Sequence, residues 1–187
     1  MLPLEATGRQ PLLHDASVAL RAPAQVWSRP GGEMREPIDG VYVSDVRVAS
    51  AFAVRVGGET PDPIATLEDG ADRIRFVSLP RGLDDPGADP DMRLVVERRV
   101  RGDGVDHVLR VESRLRRALR LDLEVELVAE LTPVDVVKTG RAPVVAEPRP
   151  EGDAVGWGDG TVSARLGAPG ARLALDGSRI RARWEVE

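Results

Sequence analysis

Two carboxylates flanking a short apolar run are the first chemistry this sequence offers. Asp39 and Asp45 bracket Gly40-Val41-Tyr42-Val43, and a pair of carboxyl groups at the right separation can work as acid and base, or acid and nucleophile, on a glycosidic bond. Their spacing alone fixes no such separation, and among 31 acidic residues chance pairs are abundant. Asp45 and Arg47 lie two apart, so on a continuing strand they share a face. The expected role there is structural: an ion pair, or a carboxylate accepting backbone N–H groups at a strand end. The histidines give less. His14 and His107 stand far apart, beside Asp15 and Asp106, and make no metal signature. His107 shares its parity with Val105 and Leu109, which predicts a half-buried, hydrogen-bonded imidazole. Gly156-Trp157-Gly158-Asp159-Gly160 has the composition of a phosphate loop but lacks the lysine and the following helix. It reads as a hairpin turn.

Those residues must be positioned by strands. Residues 93–130 hold three runs of period two. Leu121, Leu123, Val125 and Leu127 alternate with Asp122, Glu124 and Glu126, predicting a strand with the first set buried and the second exposed. Met92, Leu94, Val96 and Val100 share one parity of the first run, and Val105, Leu109 and Val111 one parity of the second. Short connections between the runs predict an antiparallel meander. The arginines from Arg98 to Arg120 interleave with Glu97, Asp103, Asp106 and Glu112, so they are expected on a solvated face. Before the meander, strands are expected over 12–21, 25–28, 38–43, 51–56, 64–67 and 73–79. After it they are expected around 154–157, 161–166, 171–175 and 179–186. Residues 80–91 and 142–153 are rich in Pro, Gly and acid and read as loops. The best helical candidate is a single turn at 133–137. Many short strands with frequent turn signals predict an all-β, antiparallel sandwich with little or no helix.

Bulk properties narrow the classes. A chain of 187 residues with 42% hydrophobic and 30% charged residues fits one folded domain over 1–187. No apolar run approaches the roughly 20 residues that span a bilayer. A net charge of −5 argues against general nucleic-acid binding. Without cysteine there is no disulfide framework and no thiolate metal site, and a cytoplasmic location is expected. No cofactor is indicated. The chain stops inside an apparent strand, Arg179 to Glu187, which predicts that it is the N-terminal part of something longer.

One resemblance goes further. Gly40-Val-Tyr-Val-Ser-Asp-Val-Arg-Val-Ala-Ser50, followed by Phe52-Ala-Val-Arg-Val-Gly-Gly58 and Pro63-Ile64, resembles the signature of bacterial glycogen-debranching-enzyme N-terminal domains. In those, a Gly-aromatic pair leads to Asp-x-Arg and then to a strand ending in Gly. The segments 12–21, 25–28, 96–100, 106–112 and 136–141 fit the same family, so the likeness covers about residues 10–141 in good register. It implies a β-supersandwich preceding a helical α/α-toroid catalytic domain of the same polypeptide, a glycosidase of the amylo-α-1,6-glucosidase kind. The catalytic carboxylates of such enzymes lie on the helical domain, so none carries over to this chain. It also makes Asp39, Tyr42, Asp45 and Arg47 candidates for a cleft or domain interface, with α-glucan as a candidate ligand. Two other readings stay open. A free-standing carbohydrate-binding module would need aligned, exposed rings among Trp27, Tyr42, Phe52, Phe76, Trp157 and Trp184. A small β-enzyme using Asp39, Asp45 or His107 would need a deep pocket around them.

Overall fold

A computed structural model of the chain describes residue 13 and residues 15–83 and 89–187. Its strands run β1 (Ser17–Arg21), β2 (Ala24–Ser28), β3 (Gly40–Val43), β4 (Val46–Val56), β5 (Asp62–Glu68), β6 (Arg73–Leu79), β7 (Met92–Arg101), β8 (Gly104–Ser113), β9 (Leu121–Pro133), β10 (Arg149–Glu151), β11 (Ala154–Gly158), β12 (Ser163–Gly167), β13 (Arg172–Asp176) and β14 (Arg179–Val186). One short helix, α1 (Val134–Lys138), stands where a single helical turn is expected. All strand pairs are antiparallel, and the strands form a seven-stranded sheet β1-β2-β3-β4-β9-β14-β13, a four-stranded sheet β5-β6-β7-β8 and a three-stranded sheet β10-β11-β12. The all-β antiparallel expectation holds. The start of the run at 12–21 and the 84–88 part of the acidic loop lie outside the described residues, as does His14.

Alternation on β9 explains why two small sheets cover one side of the large one. Leu121, Leu123 and Val125 are buried with Ala19, Val26 and Phe52 against Ile74, Phe76, Met92, Leu94, Val96 and Val100 of the four-stranded sheet. Further along the same face, Leu127 and Ala129 join Ala49 and Ile180 against Val155 and Trp157 of the three-stranded sheet. The opposite parity is charged. Asp122 and Glu124 are half-buried, but Glu126 is buried, contrary to the exposure expected of it. Its partners on the neighbouring strand, Arg179 and Arg181, close over it. Burial works against its ionisation, but the hydrogen bonds and charges of the two arginines outweigh it and hold the carboxyl below the usual glutamate range.

The expected meander is corrected at its third strand. β7 and β8 pair as a hairpin through Gly102-Asp103, but β9 leaves them and pairs with β4 and β14 in the other sheet. The connection between β8 and β9 is long enough to allow this. Seven extended residues reach about 23 Å, while stacked sheets lie only about 10 Å apart. The expected position of Arg98 is corrected too: it shares the parity of Val96 and Val100 and is fully buried between the sheets.

Candidate functional site

Asp39, Tyr42 and Arg47 are brought together, and they bind one another's surroundings rather than an open pocket. Asp39 closes the loop between β2 and β3. Its carboxylate accepts a fork from Arg29, with Nε at 3.1 Å and Nη2 at 2.8 Å, and the backbone N–H groups of Arg35 at 3.0 Å and Glu36 at 2.9 Å. Four donors satisfy a carboxylate that is only 1% exposed. Tyr42 and Arg47 face each other across β3 and β4 and fasten the same loop by its carbonyls. Tyr42 donates its hydroxyl to Ile38 O at 2.6 Å; Arg47 Nη1 donates to Pro37 O at 2.5 Å and to Asp39 O at 3.2 Å. Burial pushes the Tyr42 phenol up, although the Arg47 charge beside it acts the other way. Gly40 is required by this packing, because a Cβ there would lie 2.4 Å from Arg47 Cδ, at a positive φ of 154°.

Beneath them lies a buried charge pair that sequence reasoning missed. Arg47 Nε sits 2.8 Å from Glu130 Oε1 and its Nη2 donates to Oε2 at 3.1 Å. Thr132 donates its hydroxyl to the same carboxylate and accepts the N–H of Val144 at 3.0 Å. Glu130 and Thr132 are both 0% exposed. Their parity along β9 is that of the charged face, and burial comes from chain segments folded over them, which no local pattern announces. Arg29, likewise missed, lies ten residues from its partner with no periodic signal linking them.

Asp45 is placed differently from its neighbours. It occupies the tight turn between β3 and β4 with Ser44, whose φ is 53°, so it does not share a strand face with Arg47. The turn backbone is held on both sides, by Ser44 N to Pro23 O at 2.9 Å and Val134 N to Asp45 O at 2.8 Å. The Asp45 side chain is exposed and has no hydrogen bond or ion pair among the described residues. The carboxylate that accepts backbone N–H groups is therefore Asp39, not Asp45.

His107 belongs to a second buried cluster. Arg98 Nε donates to His107 Nε2 at 3.0 Å, Nη1 to Ser28 Oγ at 2.7 Å and Nη2 to Gly32 O at 2.6 Å. The guanidinium carbon lies 4.8 Å from the Phe76 ring centre and 5.8 Å from that of Phe52, within cation–π range. His107 stacks on Phe52 with centres 4.4 Å apart and is half-buried, as its parity predicts. Burial, helped by the Arg98 charge, pushes the imidazole well below its ordinary range, and burial lowers Arg98 to about 9. No hydrogen bond joins Asp39, Asp45 and His107 to one another. No group of three His, Cys, Asp or Glu residues among the described residues could hold a metal ion.

An open furrow of about 1690 Å³ runs between the two small sheets, floored by Leu127 and Ile180 of the large sheet and rimmed by the exposed Val108, Val144 and Val145. It is larger than the roughly 300–1,000 Å³ of a small-ligand pocket. None of the six aromatic rings is exposed. Tyr42, Phe52, Phe76 and Trp157 are buried and Trp27 and Trp184 half-buried. The indole of Trp157 donates inward to Val48 O at 2.9 Å, and that of Trp184 donates to Pro169 O at 2.8 Å in the loop before β13. Aligned, exposed rings of the kind a sugar-binding module would need are not present among the described residues.

The layered antiparallel sheets, with Asp39, Tyr42 and Arg47 fixing a loop and a hairpin, define a β-rich domain of the kind the resemblance implies. The chain belongs to the family described as the N-terminal domain of (some) glycogen debranching enzymes, whose model matches residues 20–187. No curated relative matches it. No helix among the described residues is long and apolar enough to cross a membrane.

Proposed function

We propose that residues 1–187 form the non-catalytic N-terminal β-domain of a longer, cytoplasmic glycoside hydrolase that debranches α-glucan. Its work is to support a linked helical catalytic domain and to shape one rim of that domain's glucan cleft. The observation that carries this reading is the family match over 20–187, joined to the fate of the carboxylates. Asp39 is consumed by four hydrogen bonds, and Asp45 stands alone on a hairpin tip. An acid–base pair needs two carboxyl groups facing one substrate bond, and the Asp39 carboxylate is buried and turned to the loop it holds. In this reading Asp39, Tyr42 and Arg47 hold the β3–β4 hairpin rigid, and Asp45 at its tip meets the helical domain or the cleft edge. The lack of cysteine fits a reducing compartment.

The test is enzymatic. The purified chain incubated with glycogen, limit dextrin and pullulan is expected to release no reducing sugar above a buffer blank. Turnover that disappears in Asp45→Asn would overturn the proposal and make the chain a small β-enzyme.

A further inference from the structure

Arg98 is a fully buried cation with no carboxylate within ion-pair distance among the described residues. Its charge is instead spread over three hydrogen bonds and two aromatic faces, and those contacts come from different parts of the fold. Ser28 and Phe52 belong to the large sheet, Phe76 and His107 to the four-stranded sheet, and Gly32 to the loop before β3. The loop is also tied by Met34 N to Phe52 O at 2.8 Å. Met34, Phe52 and His107 all line the furrow.

We propose that the Arg98–His107 hydrogen bond, which joins neighbouring strands of the four-stranded sheet, is an acid-sensitive latch that aims Arg98 across the layers at Ser28 and Gly32, and so holds the 29–36 loop and this wall of the furrow only while His107 is neutral. The chemistry is forced by the direction of the bond. A guanidinium has donors only, so Nε2 of His107 must be its acceptor and the imidazole proton must sit on Nδ1. Protonating Nε2 removes that acceptor and sets two cations 3.0 Å apart at a partly buried site. Among the described residues no acidic group offsets this at the imidazole. Glu97, Arg99 and Asp106 fall on the opposite face of the β7–β8 hairpin by register, Phe52 packs against the ring from β4, and the Asp39 and Glu33 charges act on Arg98. Because His107 is half-buried at the furrow, the charged ring has a route to water, and its departure leaves Arg98 Nε without a partner.

The sign follows from the depressed imidazole. The unfolded chain, with an ordinary histidine near 6.5, binds the proton more readily than the folded one, so stability is full above that value and lost as pH falls below it. Thermal unfolding of the chain and of His107→Gln, whose amide oxygen accepts from Arg98 without titrating, is to be compared at pH 7.5 and 5.5. The native chain is expected to lose about 3–5 °C more than the variant over this interval. Equal losses would overturn the latch. If His107→Gln does not fold, imidazole ¹⁵N shifts of the native chain decide. A neutral ring protonated on Nδ1 at pH 7, titrating clearly below 6.5, supports the latch; titration at or above 6.5 refutes it. His14→Gln, which leaves a single imidazole in the chain, assigns the signal to His107.

Discussion

Replacing Glu130 with alanine is expected to destabilise the chain by about 3–5 kcal/mol, the usual cost of stripping one partner from a buried ion pair. The carboxylate is 0% exposed and receives Arg47 and Thr132. Removing it leaves the Arg47 guanidinium, 7% exposed, with loop carbonyls but no opposite charge, and frees a hydroxyl that positions Val144. At about 2–4 °C per kcal/mol for a chain of this size, the melting temperature should fall by on the order of 10 °C. A control separates lost attraction from lost packing. Arg47→Met combined with Glu130→Leu removes both charges and should recover much of the loss, because two desolvation penalties disappear with the pair. A melting curve unchanged in Glu130→Ala would mean that the network does not hold the hairpin.

Leu123→Ala is expected to cost about 2–5 kcal/mol, as truncation of a buried leucine leaves both lost transfer energy and a cavity. Leu123 is 7% exposed and pairs with Val56 on one side and Trp184 on the other, so β9 cannot shift to close the gap without breaking two ladders. The urea midpoint should fall with the slope unchanged, since the surface exposed on unfolding is nearly the same. Asp122→Ala on the opposite face should move the midpoint far less. Equal effects at the two positions would mean that β9 does not separate a buried from a wet face.

Strands were legible wherever one face is apolar. The alternation through Leu121, Leu123, Val125 and Leu127 marks β9, and the parity of His107 correctly predicts a half-buried, bonded ring. Which sheet a strand joins was not legible. Period two is the same whether β9 pairs with β8 or crosses to β4 and β14, and the choice rests on how the connecting residues 114–120 cross between layers. Charged residues inside the fold were hidden for a related reason. Arg98 and Glu130 carry the residue types of a solvated surface, and only long-range partners such as Ser28, Gly32 and Arg47 make them interior. For the site, the Asp39-to-Arg47 segment was found by resemblance, yet the roles of its two aspartates exchanged. A tight turn at Ser44-Asp45 interrupts the strand that would have set Asp45 beside Arg47.

The measurement that bears most directly on the proposed supporting role is Asp45→Asn, made both in this chain and in the full-length debranching protein. The hairpin tip is held by its backbone and by Arg47 beneath it, so the isolated chain should melt within about 1–2 °C of the native one, as surface substitutions usually do. In the full-length protein the same change should lower debranching activity if, as proposed, the tip meets the helical domain or the rim of its cleft. A marked loss of melting temperature in the isolated chain, or an unaltered activity in the full-length protein, would contradict the account.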